Sequence, residues 1–201
     1  MNFLSIDCCT DIGSIFIKIK NNTFSKNLQS DKFNNDLLMK QVLDFFNYNN
    51  IKFADIAKVF VNQGPGNFSS LRTSLSIAKG ISLSKNLSVV GYDTFIWSCA
   101  RFLNTSGNIF SIIKIREKYF IKGFSQNLTN FTKANAITKE EIIKKYSNKF
   151  IVIPKKFIKS FDKEILKLNN LNIVDLDHNE LELLKSKNLL KKGLIKPIYM
   201  N

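Results

Sequence analysis

The sequence predicts an α/β protein whose first half forms a mixed sheet covered by helices, and three observations support this prediction. Two short apolar runs, residues 3–9 and 14–20, are rich in strand-forming residues, and the second alternates apolar and polar side chains. From Asn34 the apolar spacing changes to the three- and four-residue steps of an amphipathic helix. Strand-like and helix-like segments then alternate up to about residue 102. This alternation is typical of an α/β layer structure.

Each element of the first half has its own signal. The runs "FLSIDCC" and "SIFIKIK", separated by "TDIG", predict a hairpin, and the turn at Asn21 and Asn22 leads into a third antiparallel strand, "TFSKNLQ". The predicted elements that follow are a helix over 34–46, a strand over 56–63, a helix over 69–83, a strand over 87–93 and a helix over 94–102. The order βββαβαβα is that of a ribonuclease H-like or actin-like (ASKHA) lobe. In that architecture the first strand ends in an acidic residue, and Asp7 occupies the position.

The second half predicts a smaller, divergent lobe. A hairpin is expected around Arg116 and Glu117. The other predicted elements are a helix over 138–146, a strand over 149–154 stopped by Pro154, a helix near 161–168, a strand over 172–176 and a helix over 179–187. The loop-like stretch "LNTSGN" places the domain boundary so that residues 1–105 form the first lobe and 106–201 the second. The sequence shows no internal repeat.

Composition restricts the class of protein. The chain has 201 residues, of which 44% are apolar, so it can bury a core. No apolar run approaches the roughly 18 residues of a membrane span and no basic leader is present, so a cytoplasmic protein without membrane contact is expected. Cys8, Cys9 and Cys99 are odd in number, which predicts reduced, buried thiols.

The formal charge of +14 is carried mainly by lysine, which supplies 27 of the 30 basic residues. The usage of Asn, Ile, Phe and Lys is typical of an AT-rich genome, which would by itself raise the lysine content without selection of a phosphate-binding surface. Residues 101–201 nevertheless hold 20 basic and 9 acidic side chains. If the chain touches an RNA backbone, we expect the contact at "KKYSNK", "PKKFIK" or "LLKKGLIK".

The stretch "NQGPGNFSSLR" joins a predicted strand to a predicted helix. Gly64 and Gly66 permit unusual backbone angles and Pro65 rigidifies the turn, so amides at the helix start could meet an anion. The phosphate motifs GxxxxGK[ST] and GxGxxG are both absent, and a structural turn packed by Phe68 is the alternative. Arg72 could equally form an ion pair with a carboxylate.

No catalytic constellation is predicted. Asp7 could hold a metal-bound nucleotide or cap the neighbouring hairpin, but the chain has eight glycines, no Gly-Gly pair and no second phosphate loop. His178 is the only histidine and is expected at the surface, so neither a metal site nor a Ser-His-Asp triad can be assembled from the usual residues. A thiol on the apolar first strand, at Cys8 or Cys9, is expected to be inert. We therefore predict no catalytic residue, no metal and no cofactor.

Four segments together resemble the TsaB (YeaZ) family: "FLSIDCCTDIGSIFI", "VFVNQGPGNFSSLRTSLSIAKGIS", "LSVVGYDTF" and "KPIYMN". The resemblance is specific in the first hundred residues and thin from Asn108 to Lys196. The chain departs from the family pattern at Cys8 and Cys9, at Asn34, in "KIREKYF" and in the last residues of the tail.

The resemblance implies a non-catalytic, actin-like partner of the threonylcarbamoyl transferase TsaD. In that role the chain forms a heterodimer with TsaD, helps to recruit the ATPase TsaE, meets tRNA only through the complex, and forms a homodimer when alone. The predicted partner-interface residues, on the first two helices, are Leu37, Leu38, Val42, Leu75 and Lys79. The predicted structural turn comprises Gly64, Pro65, Gly66, Phe68 and Arg72, and Asp7 is a degenerate nucleotide-site position.

Two other functions remain open. The first is a nucleotide-dependent acyl or carbamoyl transferase that uses Asp7 and the Gly64–Gly66 turn around magnesium. The second is a stand-alone tRNA-binding module that uses the lysine-rich second half.

Overall fold

The computed structural model describes residues 1–10, 12–28, 37–190 and 195–200. The chain divides into two units, one of residues 1–94 with 190–199 and one of residues 95–189 with Met200. The domain boundary expected near residue 105 stays a prediction. The predicted helix start at Asn34 and two lysines of "LLKKGLIK", at 191 and 192, lie outside the described residues.

The first unit contains a five-stranded mixed sheet. Its elements are β1 (Phe3–Asp7), β2 (Gly13–Ile19), β3 (Asn22–Leu28), α1 (Leu38–Tyr48), β4 (Lys58–Asn62), α2 (Phe68–Lys85) and β5 (Ser88–Tyr92). The strand order is β3-β2-β1-β4-β5; β1 to β3 are antiparallel neighbours, and β4 and β5 run parallel to β1. With α3 (Thr94–Cys99) next, the predicted order βββαβαβα and the actin-like topology are confirmed.

The core of the first unit lies between this sheet and the helices α1 and α2. Helix α1 buries four apolar side chains at helical spacing, and α2 contributes three of its buried apolar side chains to the same core. The core residues of the two helices are Leu38, Val42, Phe45 and Phe46 on α1 and Leu75, Ala78 and Ile81 on α2. All five residues of β1 are buried, as expected for the central strand.

The second unit repeats the strand topology of the first. Its elements after α3 are β6 (Ile109–Ile115), β7 (Lys118–Phe124), β8 (Asn135–Ile137), α4 (Lys139–Tyr146), β9 (Phe150–Pro154), β10 (Leu171–Val174) and α5 (Glu180–Ser186). The order β10-β9-β6-β7-β8 has three antiparallel strands followed by two parallel ones. The two units therefore share a strand topology, although their sequences show no repeat.

The predicted helix near 161–168 is wrong. The connection from β9 to β10 forms two 3₁₀ helices instead, Lys155–Ser160 and Ile165–Lys167. In the second, hydrogen bonds of the three-residue type predominate, such as Leu168 N to Ile165 O at 3.1 Å. Phe161 and Leu168, the ends of the predicted helix, both have extended backbone, with ψ 145° and ψ 131°.

No helix among the described residues is both long enough and apolar enough to cross a membrane.

Candidate functional site

The Asp7 carboxylate stands at the end of β1 and is bonded inside the protein. It is 1% exposed, and its Oδ1 accepts hydrogen bonds from Asn62 Nδ2 at 3.0 Å and from the Cys9 amide at 3.1 Å. Asn62 ends β4, the parallel neighbour of β1. The carboxylate therefore ties together the ends of two central strands.

Asn62 extends this network to the glycine turn. Its Oδ1 accepts from the Gly64 amide at 2.9 Å, and its Nδ2 lies 3.0 Å from Thr94 Oγ1. The Thr94 amide in turn donates to Gly64 O at 2.9 Å. Sequence reasoning missed Asn62, although an amide side chain at the end of an apolar strand was the signal that could have marked it.

The network leaves the neighbouring thiol and phenol protonated. Burial, reinforced by the Asp7 charge, raises the pKa of Cys9 well above its ordinary value, and the same two causes raise the pKa of Tyr92. Cys8, Cys9 and Cys99 are all buried, and none of them forms a disulfide within the described chain, as the sequence predicted. A thiol held in this state is a poor nucleophile.

The Gly64–Gly66 turn packs tightly against the chain that follows β1. Gly64 has φ +106°, a conformation that favours glycine. A Cβ on Gly66 would stand 2.0 Å from Cys9 O, which also accepts a 2.9 Å hydrogen bond from the Asn67 amide. The Gly64–Pro65 peptide is cis. These contacts support the structural-turn hypothesis, which stays a prediction for Gly64, Pro65 and Gly66.

Phe68 and Arg72 contact the C-terminal segment of the first unit. Arg72 Nε donates to Tyr199 Oη at 2.9 Å, and the guanidinium carbon lies 4.0 Å from the centre of the Phe68 ring. The Phe68 and Tyr199 rings stack at 4.8 Å. Arg72 thus contacts aromatic rings and forms no ion pair with a described carboxylate.

The C-terminal segment is also joined to the turn by Gln63. Gln63 Nε2 donates to Lys196 O at 2.7 Å, and the Ile198 amide donates to Gln63 O at 2.7 Å. Gln63 and Tyr199 belong to the site, and sequence reasoning missed both. The only signal for Tyr199 was the resemblance carried by "KPIYMN".

The five predicted interface residues fall into two groups. Leu38, Val42 and Leu75 are buried in the core of the first unit, whereas Leu37 and Lys79 have exposed side chains. Only the side chains of the exposed pair can contact a partner without a conformational change in this unit. The interface assignment itself stays a prediction.

The surface position predicted for His178 is wrong. The residue is 7% exposed, and its ring lies 4.8 Å from the Trp97 ring. Trp97 is fully buried and donates from Nε1 to Asp177 O at 2.8 Å, which fixes the chain beside the histidine. Among the described residues, no group of three or more His, Cys, Asp or Glu side chains could hold a metal ion.

One carboxyl group of the second unit titrates near neutral pH. Burial raises the pKa of Glu180 to about 7 from 4.5, although Arg101 Nε, 3.3 Å from Glu180 Oε1, lowers it. The folded state therefore holds this proton more tightly than the unfolded state. The stabilisation that comes from protonated Glu180 is present below pH 4.5 and is lost as the pH rises towards 7.

We expect the substitution Glu180→Gln to remove this pH dependence. The wild type should lose stability between pH 5 and pH 8, whereas the variant should not. The free energy of unfolding of the variant, relative to that of the wild type, should therefore be about 1 kcal/mol higher at pH 8 than at pH 5, a value that allows for solvent screening. Urea unfolding at both pH values measures the gain. Glu117→Gln, at a fully exposed position, is the control and should show none. An equal difference at both pH values would contradict the assignment.

Comparison with known proteins shows which family the chain belongs to. The family model described as TsaD, tRNA N6-adenosine threonylcarbamoyltransferase, matches residues 30–150. A curated relative from Buchnera aphidicola, "tRNA threonylcarbamoyladenosine biosynthesis protein TsaB", is 31% identical over 86 residues. That match covers 42% of this chain and only 38% of the relative's length.

Two solved structures from Pseudomonas aeruginosa share the fold. One is described as an uncharacterized protein with similarity to peptidase YeaZ, with a TM-score of 0.74, and the other as YeaZ, with a TM-score of 0.72. Both are 12% identical; the first match covers 100% of this chain and 99% of the other, and the second covers 99% of each. By the family match the chain belongs to the TsaD family, and it also resembles proteins named TsaB and YeaZ.

Proposed function

We propose that this chain is a non-catalytic subunit that binds the transferase TsaD and supports it in the biosynthesis of tRNA threonylcarbamoyladenosine. Membership of the TsaD family and the name of the Buchnera relative support a place in this pathway. A cytoplasmic location is part of the proposal.

The observation that carries the proposal is an exposed surface on α1 and α2 of the first unit. The two helices contact each other. Each also exposes large apolar side chains although it buries an apolar stripe in the core. The exposed apolar side chains on and beside these helices are Leu37, Leu43, Tyr48, Phe68 and Leu83. We infer that these side chains form a patch that a partner covers, since large exposed apolar patches mark interaction surfaces.

Helix α2 presents a mixed stripe to solvent. Arg72, Ser76, Lys79 and Leu83 recur at steps of three and four residues, so they follow one side of the helix, and all four are exposed. A partner helix laid along this stripe would cover Leu83 and meet two cations. We propose TsaD as that partner, and a second copy of this chain as its substitute when TsaD is absent. TsaE joins the larger assembly in this proposal.

The surroundings of Asp7 support the non-catalytic part. A carboxylate that holds magnesium and nucleotide must turn its oxygens towards the ligand, whereas Asp7 Oδ1 already accepts two internal hydrogen bonds. The turn amides of Gly64 and Asn67 are likewise bonded within the protein. The alternative of a nucleotide-dependent transferase is therefore the weaker proposal.

Co-expression with TsaD of the same organism tests the partner surface. We expect the wild-type chain to elute with TsaD as a heterodimer, with the mass given by light scattering. The double variant Leu43→Asp, Leu83→Asp should weaken the complex at least 100-fold, because two charges would be buried in the contact.

The matched control places the same substitutions on the second unit, at the exposed positions Ile173 and Leu183. This control should bind TsaD as the wild type does. Loss of binding in both double variants, or in neither, would argue against the surface on α1 and α2.

A further inference from the structure

The second unit carries a concentration of lysine charge that its own carboxylates do not neutralise. Residues 144–167 contain eight lysines and only two carboxylates, Asp162 and Glu164. The stretch runs from α4 through β9 and the two 3₁₀ helices that precede β10.

Both carboxylates of this stretch are engaged by cations from outside it. Asp162 accepts a hydrogen bond from the Tyr119 hydroxyl and lies 3.4 Å from Lys114 Nζ. Glu164 pairs with Lys139 Nζ at 2.9 Å. Neither carboxylate forms an ion pair with a lysine of the stretch.

Three of the eight lysines contact other side chains of the protein. Lys145 pairs with Glu141 at 2.6 Å and Lys155 with Asp175 at 3.2 Å, while Lys156 lies 5.8 Å from the Trp97 ring. The remaining five side chains are exposed and form no ion pair within the described chain. They are Lys144, Lys149, Lys159, Lys163 and Lys167, and we name them the lysine surface.

The fold brings these lysines into one part of the unit. Helix α4 contacts the 3₁₀ helix Ile165–Lys167, and the Lys139–Glu164 ion pair fastens the start of α4 beside Lys163. Lys159 lies in the first 3₁₀ helix, Lys167 in the second, and Lys163 in the connection between them. Five unneutralised charges therefore lie on neighbouring segments.

The chemistry of the lysine surface favours a phosphodiester backbone as its ligand. Dispersed ammonium groups bind phosphates as point charges and gain affinity by the release of counterions. None of the large apolar side chains that are exposed lies within residues 139–167, all of which are described, so the surface offers no anchor for insertion into a lipid bilayer. It also contains no arginine and no exposed aromatic ring, the usual anchors of a protein interface.

We infer that the lysine surface binds the phosphate backbone of RNA without reading its bases. This goes beyond the proposed scaffold function, which requires no RNA contact by this chain. The bound RNA would lie against α4 and the 3₁₀ helices of the second unit.

Binding of an unmodified tRNA transcript to the full chain tests the inference. In 0.1 M salt, replacing all five lysines of the surface by glutamine should weaken binding at least 10-fold. The slope of log K against log salt concentration should flatten by about four, since each phosphate contact contributes about 0.7 to 0.9.

The control must remove the same charge from elsewhere. It replaces five other exposed lysines by glutamine: Lys20, Lys26, Lys52, Lys85 and Lys187. A control that binds the transcript within threefold of the wild type supports a localised site. Equal losses in both variants would mean that diffuse charge binds RNA, and would overturn the inference.

Two further outcomes would also overturn it. One is no binding of the transcript by the wild type. The other is tight binding to phosphatidylserine vesicles without binding to RNA. Co-elution with TsaD separates this inference from the proposed function, because the five-lysine variant should still form that complex.

Discussion

Replacing Leu75 by aspartate is expected to unfold the first unit, whereas the same substitution at Leu83 is expected to leave it folded. Both residues lie on α2, but Leu75 is 3% exposed within the core and Leu83 is 85% exposed. A carboxylate at position 75 loses the apolar burial and adds an unpaired buried charge, which together cost more than about 4 kcal/mol. That is a large part of the total stability of a small protein.

Circular dichroism and urea unfolding of the two variants measure the difference. The Leu83→Asp variant should unfold within about 0.5 kcal/mol of the wild type, as expected for an exposed position. If Leu75→Asp were as stable as the wild type, α2 could not pack on the sheet as described. The pair also shows why a test of the partner surface must use exposed positions.

Alanine at Gly66 is expected to destabilise the first unit by about 3 kcal/mol, because the added Cβ overlaps backbone atoms. It would lie 2.0 Å from Cys9 O and 2.7 Å from Cys9 Cα, and neither atom can rotate away as the end of a side chain can. The turn would have to move away from the chain after β1. The Asn67-to-Cys9 hydrogen bond would be lost with it.

Gly80 provides the matched control for this substitution. It lies within α2, and a Cβ there would meet no atom within 4 Å apart from those of its own helix. Gly80→Ala should therefore raise stability by about 0.5 to 1 kcal/mol through helix propensity. Chemical denaturation of the two variants gives opposite signs under this account. A neutral Gly66→Ala would show that the close approach to Cys9 is not required.

The alternation of side chains predicted the strands because a sheet with a buried face leaves a two-residue period in the sequence. β2 follows from that period, whereas its partner β1 was predicted from an apolar run rich in strand-forming residues; the hairpin predicted around Arg116 corresponds to β6 and β7. The period cannot distinguish a core from an interface, since both bury apolar area for the same reason. Leu38 and Leu75 were assigned to a partner surface, yet they belong to the core.

Contacts between distant parts of the chain left no local signal. Arg72 meets Tyr199 across 127 positions and Gln63 meets Lys196 across 133, and a single sequence contains no information about which residues pair. The burial of His178 depends on Trp97, a neighbour only in the folded chain. Asp7 was placed correctly at the end of a strand, but its bond with Asn62 required the parallel pairing of β1 and β4.

The central claim is that this chain supports TsaD without catalysing the transfer itself. The most direct test measures threonylcarbamoyladenosine formation on an unmodified tRNA transcript with purified TsaD, TsaE and a threonylcarbamoyl donor, with and without this chain. We predict that the complete mixture forms the modified nucleoside, that omission of this chain reduces the rate at least 10-fold, and that the chain without TsaD forms none. Product from this chain in the absence of TsaD, or an unchanged rate when it is omitted, would contradict the account.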